Sequence, residues 1–164
     1  MNTVTADLID LVRRAYDGDA WHGTPTLTAL AGIDSKTAGV RVTPGTHTIW
    51  EIVLHITGWM NEVAQRLRGN PAGNPPEGDW PPMPEANQNN WEQTIEGLAR
   101  AQGGLVQSIT AFPVERLSIK VPDPREEGSS DVTFAGTIHG LLQHNAYHTG
   151  QILLLRKAIA DGIK

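Results

Sequence analysis

Gly140-Leu141-Leu142-Gln143-His144-Asn145-Ala146-Tyr147-His148-Thr149-Gly150-Gln151-Ile152-Leu153-Leu154-Leu155-Arg156 is the stretch on which the fold turns. It carries two histidines four residues apart inside a long segment of apolar periodicity. Four steps along an α-helix turn about 400° and rise about 6 Å, so His144 and His148 share one face. Two imidazoles so placed hold one metal ion when a third ligand arrives from another element.

The helix containing this pair is predicted to start near Val132-Thr133 and to end at Gly162, with Phe134, Ile138, Leu141, Leu142, Ile152, Leu155 and Ile159 as apolar positions. Thr48-Ile49-Trp50-Glu51 reads as a capping box, in which hydroxyl and carboxylate each satisfy an orphan backbone N–H. Behind it Ile49, Ile52, Val53, Ile56, Met60, Val63 and Leu67 recur at three and four residues as far as a stop at Gly69. A third helix over about 86–109 rests on Trp91, Ile95, Leu98, Leu105 and Ile109. Gly103-Gly104 weakens its middle by about 1 kcal/mol per glycine and predicts a bend. The first helix of the chain uses Val4, Leu8, Leu11, Val12 and Ala15, with Thr3 or Thr5 as N-cap and Gly18 as stop.

The connectors are long. In the first, Thr24-Pro25 reads as an N-cap and first helical residue of a short helix running to Ala31, and Asp34 caps a further turn before Gly39. The second, from Asn70 to Pro84, is too rich in Pro and Gly for helix or central strand and too long for a bundle turn, so it is a lid or a crossover. Trp80 within it is expected to pack the loop down. Residues 117–122 alternate apolar and polar as a short extended piece would, and a Pro/Gly/Ser loop then runs through Ser130. Four long helices and no clear sheet make the predicted fold all-α, a helical bundle in one domain over residues 1–164.

Composition narrows the function. A net charge of −5 and a pI near 5.6, with scattered basic residues, argue against binding a phosphate backbone, so no nucleic-acid partner is expected. The chain has no cysteine, which removes thiolate metal sites and a cysteine nucleophile and suits a reducing cytoplasm. The segment Met1–Asp7 has neither the basic nor the apolar region of a signal peptide, and no apolar run approaches a membrane span. A cytoplasmic protein without a membrane partner is the expectation.

Six histidines are present. His22 lies in a connector, His47 in the approach to the second helix and His139 beside a glycine, and all three are set aside as solvated or locally bonded. His55 is different: it falls midway along the Thr48-capped helix, with Ile52, Ile56 and Trp59 on its inward side. The three imidazoles of His55, His144 and His148 admit two readings, as core histidines satisfied by carbonyls or water, or as ligands of one divalent ion that leaves coordination positions open. The spacing matches the zinc-protease His-Glu-x-x-His, but Asn145 stands where the general base would be, which argues against a protease.

Ile49-Trp50-Glu51-Ile52-Val53-Leu54-His55-Ile56 with Trp59, and Gln143 to Ile152, together resemble the DinB/YfiT-like superfamily; Trp21-His22-Gly23-Thr24-Pro25 and Leu27 to Leu30 resemble its connector. The resemblance covers nearly the whole chain. It implies a four-helix bundle in up-down-down-up order, a divalent metal (Zn, Ni or Fe) on His55, His144 and His148, and a homodimer. It also implies a small-molecule substrate, since members with known activity are S-transferases or isomerases that use a low-molecular-weight thiol, and others are regarded as metal-dependent hydrolases. An ion on three imidazoles can lower the pKa of a bound thiol or water without any protein cysteine. The rival is a non-catalytic, stress-linked bundle stabilised by its metal. Glu51 and Gln151 are candidates to orient the imidazoles or, equally, a cap and a surface polar residue. Asn145 and Tyr147 are expected to point away from the pair by helical phase, and Trp50, Trp59 and the Trp80 loop to wall the pocket.

Overall fold

A computed structural model describes residues 2–124 and 131–162. The Pro/Gly/Ser loop expected through Ser130 lies largely outside these. Among the described residues the chain is all-helical, without strands. The helices are α1 (Thr3–Asp17), α2 (Thr26–Leu30), α3 (Ser35–Ala38), α4 (Ile49–Leu67), α5 (Gln88–Ala111) and α6 (Phe134–Ala160). No helix among them is long and apolar enough to cross a membrane.

The caps explain most boundaries. Thr48 accepts the Glu51 N–H (3.1 Å) while the Glu51 carboxylate accepts the Thr48 N–H (2.8 Å), so the capping box at the head of α4 is complete. Gly69, at φ 101°, takes the left-handed turn that ends α4. Asp34 caps α3 and Thr133 caps α6. Two expectations are corrected. The cap of α1 is Asn2, whose side chain accepts the Val4 N–H, because its amide oxygen reaches the first turn one residue before Thr3. Pro25 stands at the N-cap of α2 rather than inside it. α5 continues unbroken through Gly103-Gly104.

One apolar cluster joins the four long helices. α4 packs against both α5 and α6, and α1 against the same two. Trp50, fully buried at the start of α4, meets Trp91 edge-on and donates its indole N–H to Thr94 (2.9 Å), both near the start of α5. At the far end of α4, Arg68 donates to the Gly104 carbonyl. Trp50 is therefore core and not a pocket wall. The short helices brace this frame: the Thr26 and Thr149 hydroxyls meet at 2.9 Å in the interior, and Arg156 donates to the Ala29 carbonyl.

The long connector after α4 retraces it. Gly73 N–H donates to Glu62 (2.8 Å), Pro75 lies over Gly58, and Asp79 and Trp80 reach His55. A Cβ on Gly58 would come within 3.2 Å of the Pro75 ring, so glycine is what lets the connector lie this close. The piece at 117–122 is extended as expected. It pairs with the chain entering α6, through Val121 N–H to the Val132 carbonyl and Phe134 N–H to the Ile119 carbonyl.

Burial alone would raise the Glu51 carboxyl. The hydrogen bond from Thr48 and the Arg41 guanidinium (2.6 Å) outweigh that and hold it below the ordinary carboxylate range. A depressed folded pKa means that its stabilisation is present above the unfolded value and lost as pH falls through the folded one. Thr48→Ala should therefore cost about 1 kcal/mol in urea unfolding at neutral pH. Glu51→Gln should be less stable than wild type at neutral pH, with the difference shrinking as the solution is acidified through the carboxylate range.

Candidate metal centre

α4 and α6 bring His55, His144 and His148 to one point, with a ligand-capable atom of each within 4.8 Å of the others. His55 and His148 are buried and His144 is half-buried. His148 is placed by the burial of its neighbours Thr149 and Ile152, and His55 by Ile52, Ile56 and Met60 on the same side of α4. Apart from Thr149, these positions belong to the apolar periodicity visible in the sequence.

The hydrogen bonds at the outer ring nitrogens determine what the inner ones can do. His55 Nδ1 lies 2.5 Å from the Asp79 carbonyl oxygen, which can only accept, so this nitrogen carries the proton. His148 Nδ1 lies 2.6 Å from Gln151 Oε1 and His144 Nδ1 3.2 Å from Asn145 Oδ1, contacts in which the ring donates when its proton is on Nδ1. A neutral imidazole protonated at Nδ1 has its lone pair at Nε2. The Nε2 atoms of His55 and His144 stand 2.8 Å apart, the distance of a hydrogen bond if His144 carries its proton there. With both rings in the Nδ1–H form two lone pairs would face each other, and a cation between them would remove their repulsion. The donor set fits a divalent ion: three imidazoles, each with its Nδ1 beside an oxygen atom that can orient the ring.

Burial pushes the His148 imidazolium down to about 4, with the His144 and His55 rings adding to the effect against the Gln151 hydrogen bond. Burial likewise lowers His144. Both rings are thus neutral, and available as ligands, at physiological pH.

The residues around the imidazoles meet some expectations and depart from others. Gln151 reaches His148, and the Tyr147 hydroxyl accepts from the Gln151 amide (3.0 Å). Asn145 contacts His144 rather than facing away, because helical phase sets the direction of Cβ and not the reach of the amide beyond it. Glu51 stays with its cap and Arg41. Trp80 does pack the loop down, but onto the site: its indole stacks on His55 at 3.9 Å between ring centres and 6° between planes. His47, set aside on sequence, stacks on the other face of Trp80 at 3.4 Å and 3°. Asp79, not singled out at all, accepts the Trp59 indole N–H at 2.8 Å besides the His55 proton. His22 and His139 are exposed and away from the cluster. An open cleft of about 460 Å³ adjoins the site, with Trp59, Val63, Arg66, Asp123, Gly140 and His144 among its walls.

The family model of the DinB superfamily matches residues 19–152, a span containing all three clustered histidines. Compared with curated proteins and with solved structures, the chain matches none.

In the metal-free protein, a histidine-resolved NMR titration should find His148 protonating near pH 4 rather than at the ordinary 6.5. The unfolded chain binds this proton first, so the site should lose stability as pH falls from about 6.5 to about 4. An ordinary titration of His148 near 6.5 would contradict the burial seen here.

Proposed function

The chain belongs to the DinB superfamily, and on that premise we propose that it is a metal-dependent enzyme in which His55, His144 and His148 hold one divalent ion. The observation that carries this is the convergence of the rings: a ligand-capable atom of each lies within 4.8 Å of the others, while each Nδ1 has an oxygen atom beside it. All-imidazole ligation suits zinc, nickel or iron. Such an ion supplies Lewis acidity, which lowers the pKa of a bound thiol or water and readies it for S-transfer or hydrolysis.

The chain's own residues supply the rest. Gln151, Asn145 and the Asp79 carbonyl orient the rings. Trp59 and Trp80 place apolar surface beside the imidazoles and keep bulk water from part of the site. The cleft past Trp59 and His144 has room for a small-molecule substrate, and a low-molecular-weight thiol would be the co-substrate, because the chain has no thiol of its own. We further propose the up-down-down-up order for α1, α4, α5 and α6. It is supported by Trp50 of α4 and Arg68 at its C-cap meeting Thr94 and Gly104 of α5 in the same sequence order. It is supported too by the connector that retraces α4 before α5 begins. A single domain, a homodimer and a cytoplasmic location, without nucleic acid or membrane as partner, complete the proposal.

The second reading, a metal that stabilises a non-catalytic bundle, draws on the site's bridging of α4 and α6. Protein purified without a nickel column should contain one divalent ion per chain. His148→Ala should lose it, whereas His139→Ala should keep it. A chelator should abolish thiol-dependent conjugation to electrophiles, or ester hydrolysis, while most of the fold survives. Absence of a stoichiometric ion refutes the proposal. A large fall in melting temperature on chelation, with no activity across a broad panel, favours the structural reading.

A further inference from the structure

The three imidazoles are not held alike. His144 and His148 take their oxygen acceptors from their own helix, one and three residues away. His55 takes its acceptor from the connector, 24 residues along the chain. Folding α6 therefore brings two oxygen partners within reach of their rings and leaves the third to a segment without helical structure of its own.

A neutral imidazole without partners rests mainly in the Nε2–H form in water. That form would put a proton on His55 where the cluster needs a lone pair. The Asp79 carbonyl reverses the preference, provided that it stays over the ring. The Asp79 side chain is half exposed, so burial does not hold it. What holds it is the next residue. The Trp80 indole lies flat between the rings of His55 and His47, nearly parallel to both, and meets His148 edge-on at 5.8 Å. Trp59 ties the Asp79 carboxylate from α4, and Pro75 over Gly58 brings the connector down one turn away. The sandwich also restricts the plane in which the His55 ring can turn.

We propose that Trp80, clasped by His47, is a positioning residue that acts through the Asp79 carbonyl to set the tautomer and ring plane of His55, so that docking of the connector completes the metal site. This rests on the ligand roles proposed above, but the tautomer itself can be read without any metal.

The test compares the full-length wild type with Trp80→Ala, Trp80→Phe and Trp80→Leu. Metal-free protein at pH 8 is examined by nitrogen-resolved NMR of the imidazoles, and cobalt(II) affinity is measured by competition with a chromophoric chelator. Wild-type His55 should be in the Nδ1–H form, with its ring protons shifted upfield by the indole face. Trp80→Ala should move His55 towards Nε2–H and weaken cobalt binding about 10- to 100-fold, the range for losing a partner that orients a ligand. Trp80→Phe, which keeps a flat face, should restore the Nδ1–H form and most of the affinity. Should Trp80→Ala fail to fold, Trp80→Leu keeps apolar volume without a flat face and should show the same change. An Nε2–H form in the wild type, or an unchanged tautomer in the folded alanine or leucine variant, overturns the proposal. If wild-type protein binds no cobalt, the ligand assignment fails, while the NMR spectra still decide the role of Trp80.

Discussion

Three imidazoles from two helices, with ligand-capable atoms within 4.8 Å of one another, form the constraint on which the local architecture turns. The packing of the surrounding helices keeps the rings together. α4 and α6 bury apolar residues on either side of their histidines, and that burial sets the separation of the helices. His148 is the third ring of the group, and separating the three would require opening the helix pair.

The supporting elements make sense against this constraint. α2 does more than connect: its Thr26 meets Thr149, the residue after His148, and the Ala29 carbonyl takes Arg156 two turns further along α6. The Trp91 indole donates to the Ile33 carbonyl and so anchors the stretch between α2 and α3 to α5. The two bonds to α6 restrain the helix that carries His144 and His148, and the Trp91 bond fixes the short helices to the rest of the bundle.

Much of this was legible in the residues. Thr48 with Glu51, Gly69 and the apolar spacing between them define α4, and one inward histidine on it with the pair on α6 identifies the cluster. These features are local: caps, stops and periodicity need only a few consecutive residues. What could not be read depends on the path of the connector or on side-chain torsions. The roles of His47, Asp79 and Trp80 require the connector to turn back along α4, and no periodicity records that. Gly58 opposite Pro75 is the one trace of it, and a glycine within a helix serves equally well at a bend or under a neighbouring helix. The contact of Asn145 with His144 is hidden for another reason, since a helical wheel locates Cβ and stops short of the amide, whereas Gln151 is a candidate from its position alone. Trp50 was misjudged because a wide aromatic residue next to a cap reads the same whether it lines a pocket or fills a core.

His55 and His144 are 89 residues apart in the chain. In an unfolded ensemble, holding two such distant points together sacrifices a large number of conformations, and that entropy is lost before any contact compensates for it. An ion shared by the two rings would behave as a reversible cross-link over this loop, present or absent with the concentration of free metal. A chain with no cysteine would then possess the counterpart of a disulfide, governed by metal supply instead of redox potential.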